Sequence, residues 1–175
     1  MFADIDIAQA AALLDRLRAR RFLIATAESC TGGLIAALLT EVPGSSDVVE
    51  RGLITYSNGA KCDLLGVPAT LIGRFGAVSA EVAVAMATGA LRATPVDIAV
   101  AVTGVAGPGG GTADKPVGLV HLSAVIRGYK PCTLELRLGD VGRASVRMAT
   151  VRAAITLCGQ ALDSVPAAVT GTGSP

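Results

Sequence analysis

Thr26-Ala27-Glu28-Ser29-Cys30-Thr31-Gly32-Gly33 lies between two apolar runs, Phe22-Leu23-Ile24-Ala25 before it and Leu34-Ile35-Ala36-Ala37-Leu38-Leu39 after it. The first run has the length of a buried strand, predicted over 22–27. The second continues to Thr40 and predicts a helix over 31–40. A hydroxyl and a thiol therefore sit at a strand-to-helix turn beside two glycines. Such a turn leaves backbone N–H groups without helical partners, and these can stabilise a developing oxyanion. Ser29 is the candidate nucleophile, with Cys30, Thr31, Gly32 and Gly33 around the reacting group. A thiol nucleophile at Cys30 is the alternative within the same turn, because thiolates are intrinsically strong nucleophiles.

Outward from this turn the chain alternates helical and extended patterns. Ile7, Ala11, Leu14 and Leu17 recur at helical spacing over 7–20, with Asp15, Arg16, Arg18 and Arg20 on the other side. Pro43-Gly44-Ser45-Ser46 reads as a turn, and 48–57 as a strand. Asn58-Gly59 could close a hairpin, but the following residues fit a short helix better, with Asn58 as its cap and Gly66 as its stop. Further helices are predicted near 68–74 and 79–91. A β-rich run, 97–102, leads into a glycine-rich loop over 103–112. Strands follow at 117–127 and 131–138, expected to pair antiparallel, and a last helix at 144–162. This mixture predicts a three-layer α/β/α sandwich on a mixed parallel/antiparallel sheet, one domain over 1–163. Residues 164–175, small, polar and rich in Pro and Gly, are expected to be a disordered tail.

Bulk composition narrows the function classes. The 175 residues carry 15 Lys and Arg against 14 Asp and Glu, and only five aromatic side chains, none of them Trp. Neither a basic footprint for nucleic acid nor a stacking platform is present. Mean hydropathy is high at +0.59, but no apolar run reaches the ~18 residues of a spanning helix. The N-terminus lacks the pattern of a signal peptide, which predicts a cytoplasmic protein that does not engage membranes. Cys30, Cys62, Cys132 and Cys158 are far apart in sequence and His121 is the single histidine, so no metal site is expected.

A serine nucleophile needs a base. His121 lies inside an apolar strand and reads as a structural histidine. Lys61 falls in the first turn of the helix after Asn58, where the dipole and burial both disfavour an ammonium. Tyr56, five residues upstream, could bridge serine and lysine. Spacing alone leaves Lys61 open between a base and a solvated surface lysine, and Tyr56 between a catalytic hydroxyl and a strand-end aromatic. The glycine-rich loop, with Thr103, Gly104, Ala106, Gly107 and Gly109, allows close backbone approach to an anionic ligand; a flexible surface loop is the other reading. Arg143 and Arg147, spaced i, i+4, could hold a phosphate or carboxylate or line a solvated helix face.

Taken together, five stretches resemble the CinA C-terminal domain family. They are Ala27-Glu28-Ser29-Cys30-Thr31-Gly32-Gly33, Pro43-Gly44-Ser45-Ser46, Tyr56-Ser57-Asn58-Gly59-Ala60-Lys61, Phe75-Gly76-Ala77-Val78-Ser79 and Thr103-Gly104-Val105-Ala106-Gly107-Pro108-Gly109-Gly110, the last extended by Lys115-Pro116-Val117-Gly118. The likeness covers about 7–163. Enzymatic members of the family are nicotinamide-nucleotide amidohydrolases. The resemblance implies hydrolysis of the carboxamide of nicotinamide mononucleotide to nicotinic acid mononucleotide and ammonia, without metal or cofactor. It implies catalytic roles for Ser29, Lys61 and Tyr56, with Ser46 and Thr103 lining the pocket, and a homodimer or larger assembly; Asn58 and Arg143 are further candidate substrate-binding residues. Phe75 stands where the family often has tyrosine, and Val141-Gly142 separates Asp140 from Arg143 where the family runs Gly-Asp-Arg. The short chain is expected to be the stand-alone form. The rival reading is a non-catalytic nucleotide-binding module of the same family.

Overall fold

The computed structural model describes residues 2–166. Five strands form one sheet: β1 (Ile24–Glu28), β2 (Val49–Ile54), β3 (Ile98–Gly104), β4 (Leu119–Ile126) and β5 (Cys132–Arg137). Their spatial order is β2-β1-β3-β4-β5. β2, β1 and β3 run parallel, and β4 and β5 each reverse direction against the neighbour before them. Six helices cover the sheet: α1 (Asp4–Arg20), α2 (Leu34–Thr40), α3 (Asn58–Leu65), α4 (Ala69–Phe75), α5 (Ala80–Ala93) and α6 (Arg143–Asp163). The expected sandwich on a mixed sheet is the observed fold.

Alternation along the strands separates two cores. Ile24, Ile98, Val100, Val102, Val120 and Leu122 pack against α1, α2 and α6. Ala25, Ala27, Ala99, Ala101 and Val125 face α3, α4 and α5. Alanine dominates the second face, so α5 can lie close to the sheet. It also lies close to α3: a Cβ added at Gly89 would stand 2.1 Å from the Leu65 carbonyl oxygen. In an open helix Gly→Ala is favourable by about 1 kcal/mol. Here the clash with backbone outweighs that gain, and Gly89→Ala is expected to destabilise the fold by about 1–3 kcal/mol. Denaturant melting checks this; an unchanged midpoint would contradict the close α3–α5 approach.

Several boundaries differ from the sequence expectation for local reasons. The helix expected from residue 31 begins at Leu34, because Gly32 and Gly33 take left-handed φ values of 60° and 97°. The cap of α3 is Ser57, not Asn58: the Ser57 hydroxyl accepts the Ala60 N–H at 3.0 Å. Gly66 ends α3 in the left-handed region as expected. Thr103 and Gly104 belong to β3, so the irregular loop begins at Val105. The buried side of α6 runs through Val146, Thr150, Ala154, Leu157 and Ala161. Val165, assigned to the tail, is buried in the first core. The remainder of that tail, 167–175, lies outside the described residues.

The path from β1 leads through α2 on one face to β2, then through α3–α5 on the other face to β3. Connections leave the carboxyl ends of β1 and β3 in different directions, and a crevice opens there, as is general in open α/β sheets.

Candidate active site

Ser29 directly follows β1. Its N–H donates to the Val102 carbonyl at 3.1 Å, which continues the β1–β3 pairing by one residue. This holds the side chain, 8% exposed, at the floor of the crevice. Thr55, just past β2, donates its N–H to the Glu28 carbonyl at 2.7 Å. That bond pins the entry to α3, and the Ser57 cap sets its direction. Lys61, four residues into the helix, is therefore turned back toward β1.

Lys61 is 1% exposed. Its Nζ lies 3.1 Å from Ser29 Oγ and donates to the Thr55 carbonyl at 2.8 Å and the Tyr56 carbonyl at 3.5 Å. Burial lowers its pKa from the ordinary value; the nearby Cys30 and Cys62 thiols oppose that shift more weakly. No carboxylate pairs with it among the described residues. A lysine so placed is drawn toward the neutral amine, whose lone pair can accept the Ser29 proton.

The cavity above this pair measures about 220 Å³ and includes Ser29, Cys30, Lys61 and Asn58 in its lining, with Thr103, Gly104 and Ala106 from the β3 end and Tyr56 and Arg143 at its mouth. Thr103 Oγ1 donates to the Ala77 carbonyl at 2.8 Å, which ties the α4–α5 connection to β3. Ala77 and Val78 complete the wall. Their stretch was conspicuous in the sequence, but nothing in its composition pointed to a contact. A groove of about 340 Å³ between α1 and α6 contains no comparable pair of groups.

Other expected site residues are placed differently. Ser46 is in a 3-10 turn, Ser45–Asp47, just before β2. Because β2 runs parallel to β1, that turn sits at the end of the sheet opposite Ser29, where Arg18 pairs with Asp47. The Tyr56 side chain is 61% exposed, and its hydroxyl accepts from Arg143 Nη2 at 3.0 Å rather than bridging Ser29 and Lys61. Arg143 also donates to the Gly107 carbonyl at 3.0 Å, so it holds the glycine-rich loop beside Tyr56. Gly107 and Gly109, expected at the ligand, do not line the cavity. Arg147 is not at the mouth: it donates to the Thr31 carbonyl at 2.7 Å and braces the nucleophile turn. Thr31, Gly32 and Gly33 shape that turn without lining the cavity. His121 lies opposite Thr103 in the β3–β4 register; burial lowers its pKa, and Glu135 is 3.8 Å away. Among the described residues no cluster of His, Cys, Asp or Glu is arranged to hold a metal ion, and no helix is long and apolar enough to cross a membrane.

Cys30 is 5% exposed, and burial pushes its thiol up to about 11. A thiol that titrates so high supplies almost no thiolate near neutral pH. Iodoacetamide at about pH 8 is expected to leave Cys30 unmodified in the folded protein, as read by peptide mass spectrometry. Rapid alkylation there would restore Cys30 as a nucleophile.

Glu28 immediately precedes Ser29, and sequence reasoning misses its part in the site. It is 0% exposed. Its Oε1 accepts from Thr26 Oγ1 at 3.0 Å and the Ala36 N–H at 2.9 Å; its Oε2 accepts from the N–H groups of Gly33 and Ile35 at 3.0 and 3.1 Å. The available signal was an acid just ahead of a helix start, where the dipole favours negative charge.

The arrangement has counterparts. A family profile described as the CinA C-terminal domain matches residues 6–162. The chain belongs to this family. A CinA-like protein of Synechococcus sp. (strain RCC307) is 51% identical over 158 residues, which cover 89% of this chain and 37% of that protein. A CinA-like protein of Mycobacterium marinum is 50% identical over 158 residues, covering 90% of this chain and 37% of the relative. The chain thus spans little more than a third of the length of these curated relatives. Among solved structures, the competence/damage inducible protein CihA from Agrobacterium tumefaciens superposes with a TM-score of 0.90 at 48% identity, covering 94% of this chain and 99% of that one. A CinA superfamily protein from Escherichia coli gives 0.84 at 34% identity, with 91% and 93% covered. These CinA-fold structures match the chain over nearly its whole length.

Proposed function

We propose that this CinA-family chain is an amidohydrolase that converts nicotinamide mononucleotide and water to nicotinic acid mononucleotide and ammonia. The observation that carries the reading is the buried Lys61 amine 3.1 Å from Ser29 Oγ, in a cavity open to solvent. Ser29 Oγ attacks the carboxamide carbon while Lys61 takes its proton. The amine then returns that proton to the departing ammonia, and water hydrolyses the resulting ester with Lys61 again as base.

The oxyanion needs donors that the fold has not already used. Gly33 N–H is bound to Glu28 and Gly32 N–H to the Ser29 carbonyl. Ser45 and Ser46 are at the far end of the sheet. Cys30 and Ala106 both line the cavity, and among the described residues their N–H groups donate to no backbone carbonyl; these are the proposed donors to the oxyanion. Ala77, Val78 and Ala106 offer an apolar wall to a pyridine ring. Arg143, without an acidic partner among the described residues, stands at the mouth where a 5′-phosphate would emerge.

Ammonia release from purified protein with nicotinamide mononucleotide tests the reading. Well-folded protein that binds the nucleotide by calorimetry but releases no ammonia between about pH 6 and 10 would overturn it in favour of a binding module.

A further inference from the structure

Glu28 is a buried carboxylate whose two oxygens are both occupied, and no cation pairs with it among the described residues. Its four hydrogen bonds come from Thr26 on β1 and from Gly33, Ile35 and Ala36 at the start of α2. They close a loop around Ser29, Cys30, Thr31 and Gly32. The ends of that loop are fixed at the side of Glu28, and its middle by Arg147 on the Thr31 carbonyl. The loop contains two left-handed glycines and a seven-residue helix follows it. Neither feature fixes a side-chain position by itself. The carboxylate also consumes N–H groups at the start of α2, so the helix N-terminus is unavailable to an oxyanion.

We propose that Glu28 is the positioning residue of the nucleophile: it anchors the first turn of α2 to β1 and thereby holds Ser29 Oγ at hydrogen-bond distance from Lys61 Nζ. Glu28 touches neither the cavity nor the reacting atoms; it acts through the backbone of the turn. The turnover readout rests on the amidohydrolase reading, whereas the reactivity of Ser29 does not.

The test compares wild type, Glu28→Gln and Thr26→Val. Five quantities are read: kcat and KM for ammonia release, the rate at which a fluorophosphonate probe labels Ser29, the calorimetric Kd for nicotinic acid mononucleotide, and the melting midpoint. Glu28→Gln keeps the shape but turns an amide N–H₂ against backbone N–H donors. It is expected to lower both kcat and the labelling rate about 100-fold, the cost typical of a misplaced reacting group, with KM and Kd changed little. Thr26→Val removes one hydrogen bond to Oε1 and should slow labelling about 3- to 10-fold. A folded Glu28→Gln that labels at the wild-type rate overturns the proposal. If Glu28→Gln does not fold, Thr26→Val decides: labelling at the wild-type rate overturns it, and slower labelling in a folded protein supports it. Wild type that releases no ammonia while its labelling falls with Glu28→Gln would remove the amidohydrolase reading and leave Glu28 in its role. Wild type that resists the probe altogether overturns the proposal, since no positioned nucleophile is then present.

Discussion

Lys61→Arg is expected to lower kcat for nicotinamide mononucleotide by about 10²–10⁴-fold, the range typical for loss of a general base. Arginine keeps the positive charge but stays protonated at any working pH, so it cannot take the Ser29 proton. Nucleotide binding should survive. A role in attracting phosphate would give the opposite pattern, with kcat kept in Lys61→Arg and KM raised in Lys61→Ala. Burial lowers the Lys61 pKa from its ordinary value of 10.5, so kcat should rise with pH through the depressed value as the amine becomes neutral. The same shift acts on stability. Between the folded and unfolded pKa values the unfolded chain holds more protons at this site, so the contribution of Lys61 to stability rises with pH across that window and is lost as pH falls toward the folded value. Replacing the pH-dependent amine by Met should remove that part of the stability–pH slope together with the activity. Lys61→Arg with near-normal kcat would end the Ser29–Lys61 mechanism while leaving the family membership untouched.

Ser29→Ala is expected to reduce turnover at least about 10³-fold, since the covalent route is closed and only binding and oxyanion stabilisation remain. Cys30→Ala, one residue away in the same turn, should keep kcat within about threefold, because a buried thiol shifted to about 11 contributes no nucleophile. The two variants are a matched pair. They sit at one cavity, remove one polar atom each, and should differ by orders of magnitude in steady-state ammonia release. Equal losses would mean that packing of the turn, not its chemistry, had been measured. Loss in Cys30→Ala alone would move the nucleophile to sulfur.

Much of this arrangement was legible along the chain because it is local. The apolar run, the Ser-Cys-Thr-Gly-Gly turn and the second apolar run specify a strand, a turn and a helix by period and by glycine. The placing of Lys61 in the first turn of α3, near Tyr56 and after β2, follows from spacing alone, although its cap proved to be Ser57. The family resemblance then suggested which of several open readings to prefer. Ser46 shows where local reading stops. The Pro-Gly-Ser-Ser turn was recognisable, but which end of the sheet it occupies depends on β2 running parallel to β1. Tyr56 shows the same for a side chain. Its position at the end of β2 was readable; its hydroxyl went to Arg143, 87 residues later in sequence.

The sequence by itself determined the elements, their alternation into two buried faces and the chemical types gathered near the nucleophile, because period, glycine and capping act within a few residues. Only the tertiary structure decided that Lys61 is buried against Ser29, that Glu28 fills the start of α2, and that Ser46 lies away from both. Those outcomes depend on strand order, strand direction and burial, which bring together residues far apart in the chain. Desolvation, the dominant cause of the Lys61 shift, exists only once the packed layers exclude water.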